Sequence, residues 1–197
     1  MEYDVVKREM IVNRKLNKLD NFVLDFLKFL KKHVDYVIIS GYVSILLGRS
    51  RATEDVDVFI EKIPFDVFLK LYEELTKNGF WCLNAEKPEE VFSYLEDGYA
   101  VRFSLVNKPI PNFEVKFPKR EIDRETFKDF ITVILPEGEV KISALERQIA
   151  FKRYYLKSDK DIEDALHIEE SFKGKIDYEK VNKLKKIIGE IKKNEKK

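Results

Sequence analysis

The sequence predicts a mixed α/β (α+β) fold: a sheet flanked by helices, followed by a helical C-terminal lobe. Apolar residues recur at helical spacing over 16–30 and 65–77, whereas short β-branched and aromatic runs dominate between 80 and 136. Beyond position 143 the spacing is helical throughout. A core at 1–142 with an N-terminal helix, then a helical region at 143–197, is the division this pattern suggests.

In chain order, Leu16, Leu19, Phe22, Val23, Phe26, Leu27 and Leu30 make one face of a first helix. The apolar run Tyr36 to Ile39 reads as a strand that stops at Ser40-Gly41, and Tyr42 to Leu47 resumes helical spacing until Gly48 ends it. Arg49 to Glu54 is a charged connection to a β-branched strand, Asp55 to Ile60, closed before Pro64. Phe65, Phe68, Leu69, Leu71, Tyr72 and Leu75 predict a helix over 65–77, stopped by Asn78-Gly79. Alternation then predicts strands at Tyr99–Val106, Phe113–Phe117 and Phe130–Leu135. Ser143 is placed as the N-cap of a helix through Leu156, and Ser158 or Asp159 caps the next, with Ile162, Ala165, Leu166 and Ile168. A last helix spans Tyr178 to Lys197 on Val181, Leu184, Ile187, Ile188 and Ile191.

Composition removes several classes of function. With 44% apolar and 37% charged residues the chain has enough apolar surface to fold, and a formal net charge of +1 gives no global attraction to nucleic acid or a membrane. The one cysteine, Cys82 beside Trp81, has no partner for an intramolecular disulfide and reads as a buried small hydrophobe in a reducing compartment. No apolar run approaches the roughly 20 residues of a bilayer span, and charges start too early for a signal peptide, so a cytoplasmic protein is expected. His33 and His167 have no metal-ligand spacing and read as structural.

The chemistry concentrates at Asp55-Val56-Asp57. On a strand these two carboxylates share one side, and adjacent anions are comfortable when a cation lies between them. Mg²⁺, or Mn²⁺, takes such hard oxygen ligands together with substrate phosphates, and two ions about 4 Å apart clamp an in-line displacement. A third acid is supplied by Glu114 within Asn112 to Phe117, where Phe113, Val115 and Phe117 form one face and Glu114 with Lys116 the other. We assign Glu114 as metal ligand and general base. The small-residue turn at Ser40-Gly41 lets backbone N–H groups approach a phosphate. Arg51 either steadies phosphate charge or pairs with Glu54.

Ile38-Ile39-Ser40-Gly41-Tyr42 followed by Arg49-Ser50-Arg51-Ala52-Thr53-Glu54-Asp55-Val56-Asp57 resembles the signature of the DNA polymerase beta-like nucleotidyltransferase superfamily. The pattern Arg51-x-Thr53-x-Asp55-x-Asp57, then Lys152, then Lys160-Asp161-Ile162-Glu163-Asp164, is similar to the AbiEii-like branch. The resemblance spans roughly 36 to 168 and implies a nucleotidyltransferase-type mixed sheet. It also implies a triphosphate seat at Ser40, Gly41, Arg51, Thr53 and Lys152, metal on Asp55, Asp57 and Glu114, and Asp161 in support. The expected activity is metal-dependent transfer of a nucleoside monophosphate from a nucleoside triphosphate to a hydroxyl of RNA, tRNA or protein. A toxin-like role would add an antitoxin partner. Ser40 in place of a first glycine, bulky Tyr42 and Glu for Asp at 114 depart from the pattern. They motivate an alternative, a catalytically degenerate binding module of the same fold; a metal-dependent glycosyltransferase, which also uses Asp-x-Asp, is a further one.

Overall fold

The computed structural model describes residues 1–195, so positions 196 and 197 of the predicted last helix lie outside the described residues. The elements of the first half are β1 (Glu2–Asp4), β2 (Glu9–Ile11), α1 (Lys18–Leu30), β3 (Tyr36–Ile38), α2 (Gly41–Leu46), β4 (Asp55–Ile60), α3 (Phe65–Lys77), β5 (Phe80–Cys82) and α4 (Pro88–Glu96). Those of the second half are β6 (Val101–Leu105), β7 (Lys108–Lys116), α5 (Glu121–Arg124), β8 (Phe130–Leu135), β9 (Gly138–Ser143), α6 (Leu145–Ala150), α7 (Asp159–Ser171) and α8 (Tyr178–Asn194). After α6 the chain continues as a wider π-helical turn over Phe151–Leu156, ended by Lys157 at φ 65°.

The strands form one mixed sheet in the order β1-β2-β8-β9-β3-β4-β7-β6-β5. Three neighbouring pairs are parallel, β2 with β8, β3 with β9 and β4 with β7, and the other pairs are antiparallel. Val56 and Val58 of β4 pair with Phe113 and Val115 of β7 on one face, and all four are buried. On that face Phe26 of α1 stacks on Phe113 with ring centroids 4.0 Å apart, and Phe22 lies at 5.4 Å. Such aromatic pairs add about 0.5–1.5 kcal/mol each beyond the area they bury. The alternation of β4 therefore turns Asp55 and Asp57 to the opposite face, toward α6 and the turn after it.

Helix ends follow local chemistry. Asn17 accepts from the Asp20 amide at 2.9 Å while Asp20 accepts from the Asn17 amide at 2.8 Å, a reciprocal cap that starts α1 two residues later than the apolar spacing alone suggests. Ser158 caps α7 as expected, and Asp177 caps α8. Ser143 does not cap a helix: it is the last residue of β9, Ala144 holds the cap position, and the Ser143 hydroxyl accepts from the side chain of Gln148. Pairing of Ser143 with Phe130 across β8 and β9 outweighs its capping tendency. Two further differences concern short elements. β1 and β2 are three-residue strands too brief to show a period, and α4 has only Val91, Phe92 and Leu95 to mark its buried face.

Tyr42, the bulky residue after the turn, is fully buried and donates to Asp20 Oδ1 at 2.9 Å; burial pushes its phenol well above the ordinary range. It thus belongs to the core rather than to a ligand seat. Tyr42→Phe keeps the ring and removes the donor, and should lower stability by about 1 kcal/mol in urea denaturation; a change below about 0.3 kcal/mol would show the bond to contribute nothing net. On the far side of the sheet Asp129 gathers Arg8, Lys180 Nζ at 2.6 Å and Arg147 Nε at 3.0 Å, tying the β1-β2 hairpin and α8 to α6.

Candidate nucleotidyl-transfer site

The parallel register of β4 and β7 sets Asp57 directly beside Glu114 and Asp55 beside Asn112. Strand alternation puts Asp55, Asp57 and Glu114 on one face, each only partly exposed. Lys116, next along that face of β7, reaches back between two of the acids: its Nζ donates to Asp57 Oδ1 at 2.7 Å and to Glu114 Oε1 at 3.2 Å. Arg102 of β6 closes the other side of Glu114 at 3.2 Å. Asp55 accepts from the Thr53 hydroxyl, which bonds its backbone oxygen at 3.0 Å and its Oδ1 at 3.2 Å. Thr53 thereby orients the first carboxylate.

Burial alone would hinder ionisation of Glu114, but the Lys116 ammonium and Arg102 guanidinium outweigh it and hold the carboxyl below the usual range. Lys116 mirrors this: burial works against its charge, and Asp57 with Glu114 overcomes that and raises its pKa. Among the described residues no three of His, Cys, Asp and Glu stand close enough to enclose a metal unaided. The donor set nevertheless suits a hard divalent cation completed by phosphate oxygens, because three carboxylates share a face where a positive charge is already accommodated.

Asp20, Glu114 and Asp129 all have depressed carboxyl pKa values; in each, burial opposes the shift and bonded partners prevail, Arg14 for Asp20 and Lys180 for Asp129. A depressed folded-state pKa contributes stability that is present above the unfolded value and is lost as pH falls through the folded one. Urea midpoints should therefore hold steady from neutral pH to about 5 and fall below about pH 4.5. A midpoint that stays constant down to pH 3 would contradict these ion pairs.

The turn before α2 is strained, with Ser40 at φ 63° and ψ −132°, a conformation that L residues rarely adopt. Gly41 is buried, and a Cβ there would lie 3.2 Å from Arg51 Nη2 and 3.5 Å from Thr53 Oγ1. The missing side chain is what allows the Arg51 guanidinium to lie against the turn. Arg51 pairs not with Glu54 but with Asp164 Oδ2, at 2.5 Å. Asp164 is wholly buried and also meets Arg49 Nε at 2.6 Å and Lys152 Nζ at 2.8 Å. Lys152, only 1% exposed, lies 3.6 Å from Asp161, whose carboxylate is held by Ser158. One buried anion therefore gathers three cations.

A cleft of about 510 Å³ opens between the carboxylate face and the C-terminal helices. Ser40, Asp57, Lys116 and Lys152 lie on its wall, as do Lys119, Arg120, Phe151 and Tyr155, with Arg120 seated 4.7 Å from the Tyr155 ring centroid. Gly41, Arg51, Thr53, Asp55, Glu114 and Asp161 do not line it. Sequence reasoning left Asp164, Lys116 and Arg120 without a role. Asp164 carried a signal, because it falls at the inward helical spacing of Asp161, Asp164, Ala165 and Ile168, while Leu166 is exposed.

No model of a protein family and no curated protein matches this chain. Solved structures do. The solution structure of the antibiotic-resistance factor ANT(2'')-Ia aligns with a TM-score of 0.57 at 12% identity, covering 89% of this chain and 94% of that one. The chain has a nucleotidyltransferase fold. The lincosamide antibiotic adenylyltransferase LnuA in its lincomycin-bound crystal structure aligns at 0.52, with 14% identity over 80% of this chain and 99% of that one. An antigenic nucleotidyltransferase-like protein from Paracoccidioides brasiliensis aligns at 0.51, with 20% identity over 76% and 74%. At these identities the likeness is one of nucleotidyltransferase architecture, and it agrees with the mixed sheet and flanking helices expected from the sequence. Among the described residues no helix is long and apolar enough to cross a membrane.

Proposed function

We propose that this protein transfers a nucleoside monophosphate from a nucleoside triphosphate to an acceptor hydroxyl. The observation that carries the reading is the register that sets Asp57, on the wall of an open cleft, beside Glu114, with Asp55 on the same strand face. The acceptor oxygen forms a bond to the α-phosphorus, the bond to the bridging oxygen of the β-phosphate breaks, and pyrophosphate leaves. A divalent cation held by Asp55, Asp57 and Glu114 would supply charge neutralisation at the phosphates. Lys152 and Arg51, fixed by Asp164, place positive charge beside the Ser40-Gly41 turn, where the triphosphate would lie. Glu114, on the same face as Asp55 and Asp57, would also take the proton of the acceptor hydroxyl.

Adenylyl transfer is the first activity to test, because the LnuA neighbour is an adenylyltransferase. The branch resemblance supports RNA, tRNA or protein as acceptor and an antitoxin partner, and the early charges of the sequence support a cytoplasmic setting. The neighbours give no support to the glycosyltransferase alternative. The degenerate-module reading is favoured by one observation, the Lys116 ammonium lodged between Asp57 and Glu114. Labelled-NTP incorporation into total RNA and into protein, with Mg²⁺ and with chelator, separates the two. Mg²⁺-dependent incorporation supports the enzyme; nucleotide binding without incorporation supports the module.

A further inference from the structure

We propose that Lys116 stands in for one of two divalent cations, so that this site works with a single metal ion. The inference rests on the nucleotidyltransferase reading and concerns the same carboxylates. Lys116 Nζ, 2.7 Å from Asp57 Oδ1 and 3.2 Å from Glu114 Oε1, fills the space that a cation shared by those two oxygens would need. An ammonium has only donors and cannot enter a metal's coordination sphere, so the two exclude each other there. Lys116 is also committed to its place. Its side chain is 25% exposed and those of Asp57 and Glu114 are 18% and 17% exposed, so withdrawing it leaves two shielded anions facing each other on adjacent strands.

Charge balance points the same way. Asp55, Asp57 and Glu114 carry three negative charges, and Lys116 with Arg102 supplies two positive ones. One divalent cation held among these carboxylates then reverses the sign, which a triphosphate readily compensates. Two, with Lys116 and Arg102 still beside them, would crowd six positive charges around three carboxylates. Lys116 thus acts as a fixed charge between Asp57 and Glu114, contributed by the chain itself.

Electron paramagnetic resonance of Mn²⁺ on the full chain with a non-hydrolysable ATP analogue tests this. The native chain should bind one Mn²⁺ per nucleotide with an isolated-ion spectrum. Lys116→Met should bind two, giving the exchange-coupled spectrum of ions about 4 Å apart, and Lys116→Arg should stay at one. A coupled pair in the native chain overturns the proposal but leaves nucleotidyl transfer standing, as does a single ion in Lys116→Met that circular dichroism shows to be folded. If Lys116→Met fails to fold, the native spectrum decides alone. No Mn²⁺ in either chain overturns both readings.

Discussion

Replacing Asp57 by Asn is expected to reduce nucleotidyl transfer by a factor on the order of 10²–10³ while leaving the fold intact. Asn keeps the size of the side chain and its place on β4 beside Glu114, and removes only the charge. Lys116 would retain Glu114 at 3.2 Å as a partner, so the ammonium is not stranded and stability should change little. The measurement is initial-rate incorporation of labelled nucleotide, with urea midpoints as the check on folding. Equal rates for the variant and the native chain would remove the carboxylate face from the mechanism. The same comparison with Asp55→Asn should show a loss of similar size, because that acid shares the face and is oriented by Thr53.

Asp164→Asn carries the largest expected cost in stability. Arg49, Arg51 and Lys152 converge on one wholly buried carboxylate, and a neutral amide leaves Arg51 without an acid partner and Arg49 and Lys152 with only Glu163 and Asp161. Losing one partner of a buried charge cluster typically costs about 3–5 kcal/mol. For a chain of this size that is a fall in Tm of roughly 6–20 °C. Nucleotide affinity should drop as well, since Lys152 and Arg51 lose the group that holds them beside the turn. Asp161→Asn, at 3.6 Å from Lys152, should have a smaller effect on both. A loss below about 1 kcal/mol for Asp164→Asn would mean that water already reaches the cluster.

The strand Asp55–Ile60 and the helix Phe65–Lys77 stand in the structure at their expected bounds, because a clear period and clear stops at Pro64 and Gly79 mark them. The β1-β2 hairpin was invisible for the opposite reason: three residues cannot display a period, and what fixes β2 is pairing with distant β8. Alternation alone placed Asp55 and Asp57 on one strand face and Glu114 with Lys116 on another, but the partners of these acids were not legible. Alternation places Lys116 on the face of Glu114 without revealing that its ammonium turns back to bridge Asp57 on another strand. Arg51 looked toward neighbouring Glu54 in the sequence, whereas its partner, Asp164, comes from a helix more than a hundred residues on. Side-chain reach within one strand can be read from spacing; convergence of separate elements depends on the tertiary fold.

The parallel ladder between β2 and β8 pairs Met10 with Val133, and that between β3 and β9 pairs Ile38 with Ile142. As the chain is synthesised, β2 and β3 must wait for most of the polypeptide before these second partners exist. Such long closures are slow, and hydrophobic strand edges stay unpaired in the meantime. The middle strand β4 is in the same position, because β7 arrives only after α3, β5, α4 and β6. Assembly of the carboxylate face is accordingly a late event, and a nascent chain halted before residue 112 would possess Asp55 and Asp57 yet have nothing opposite them.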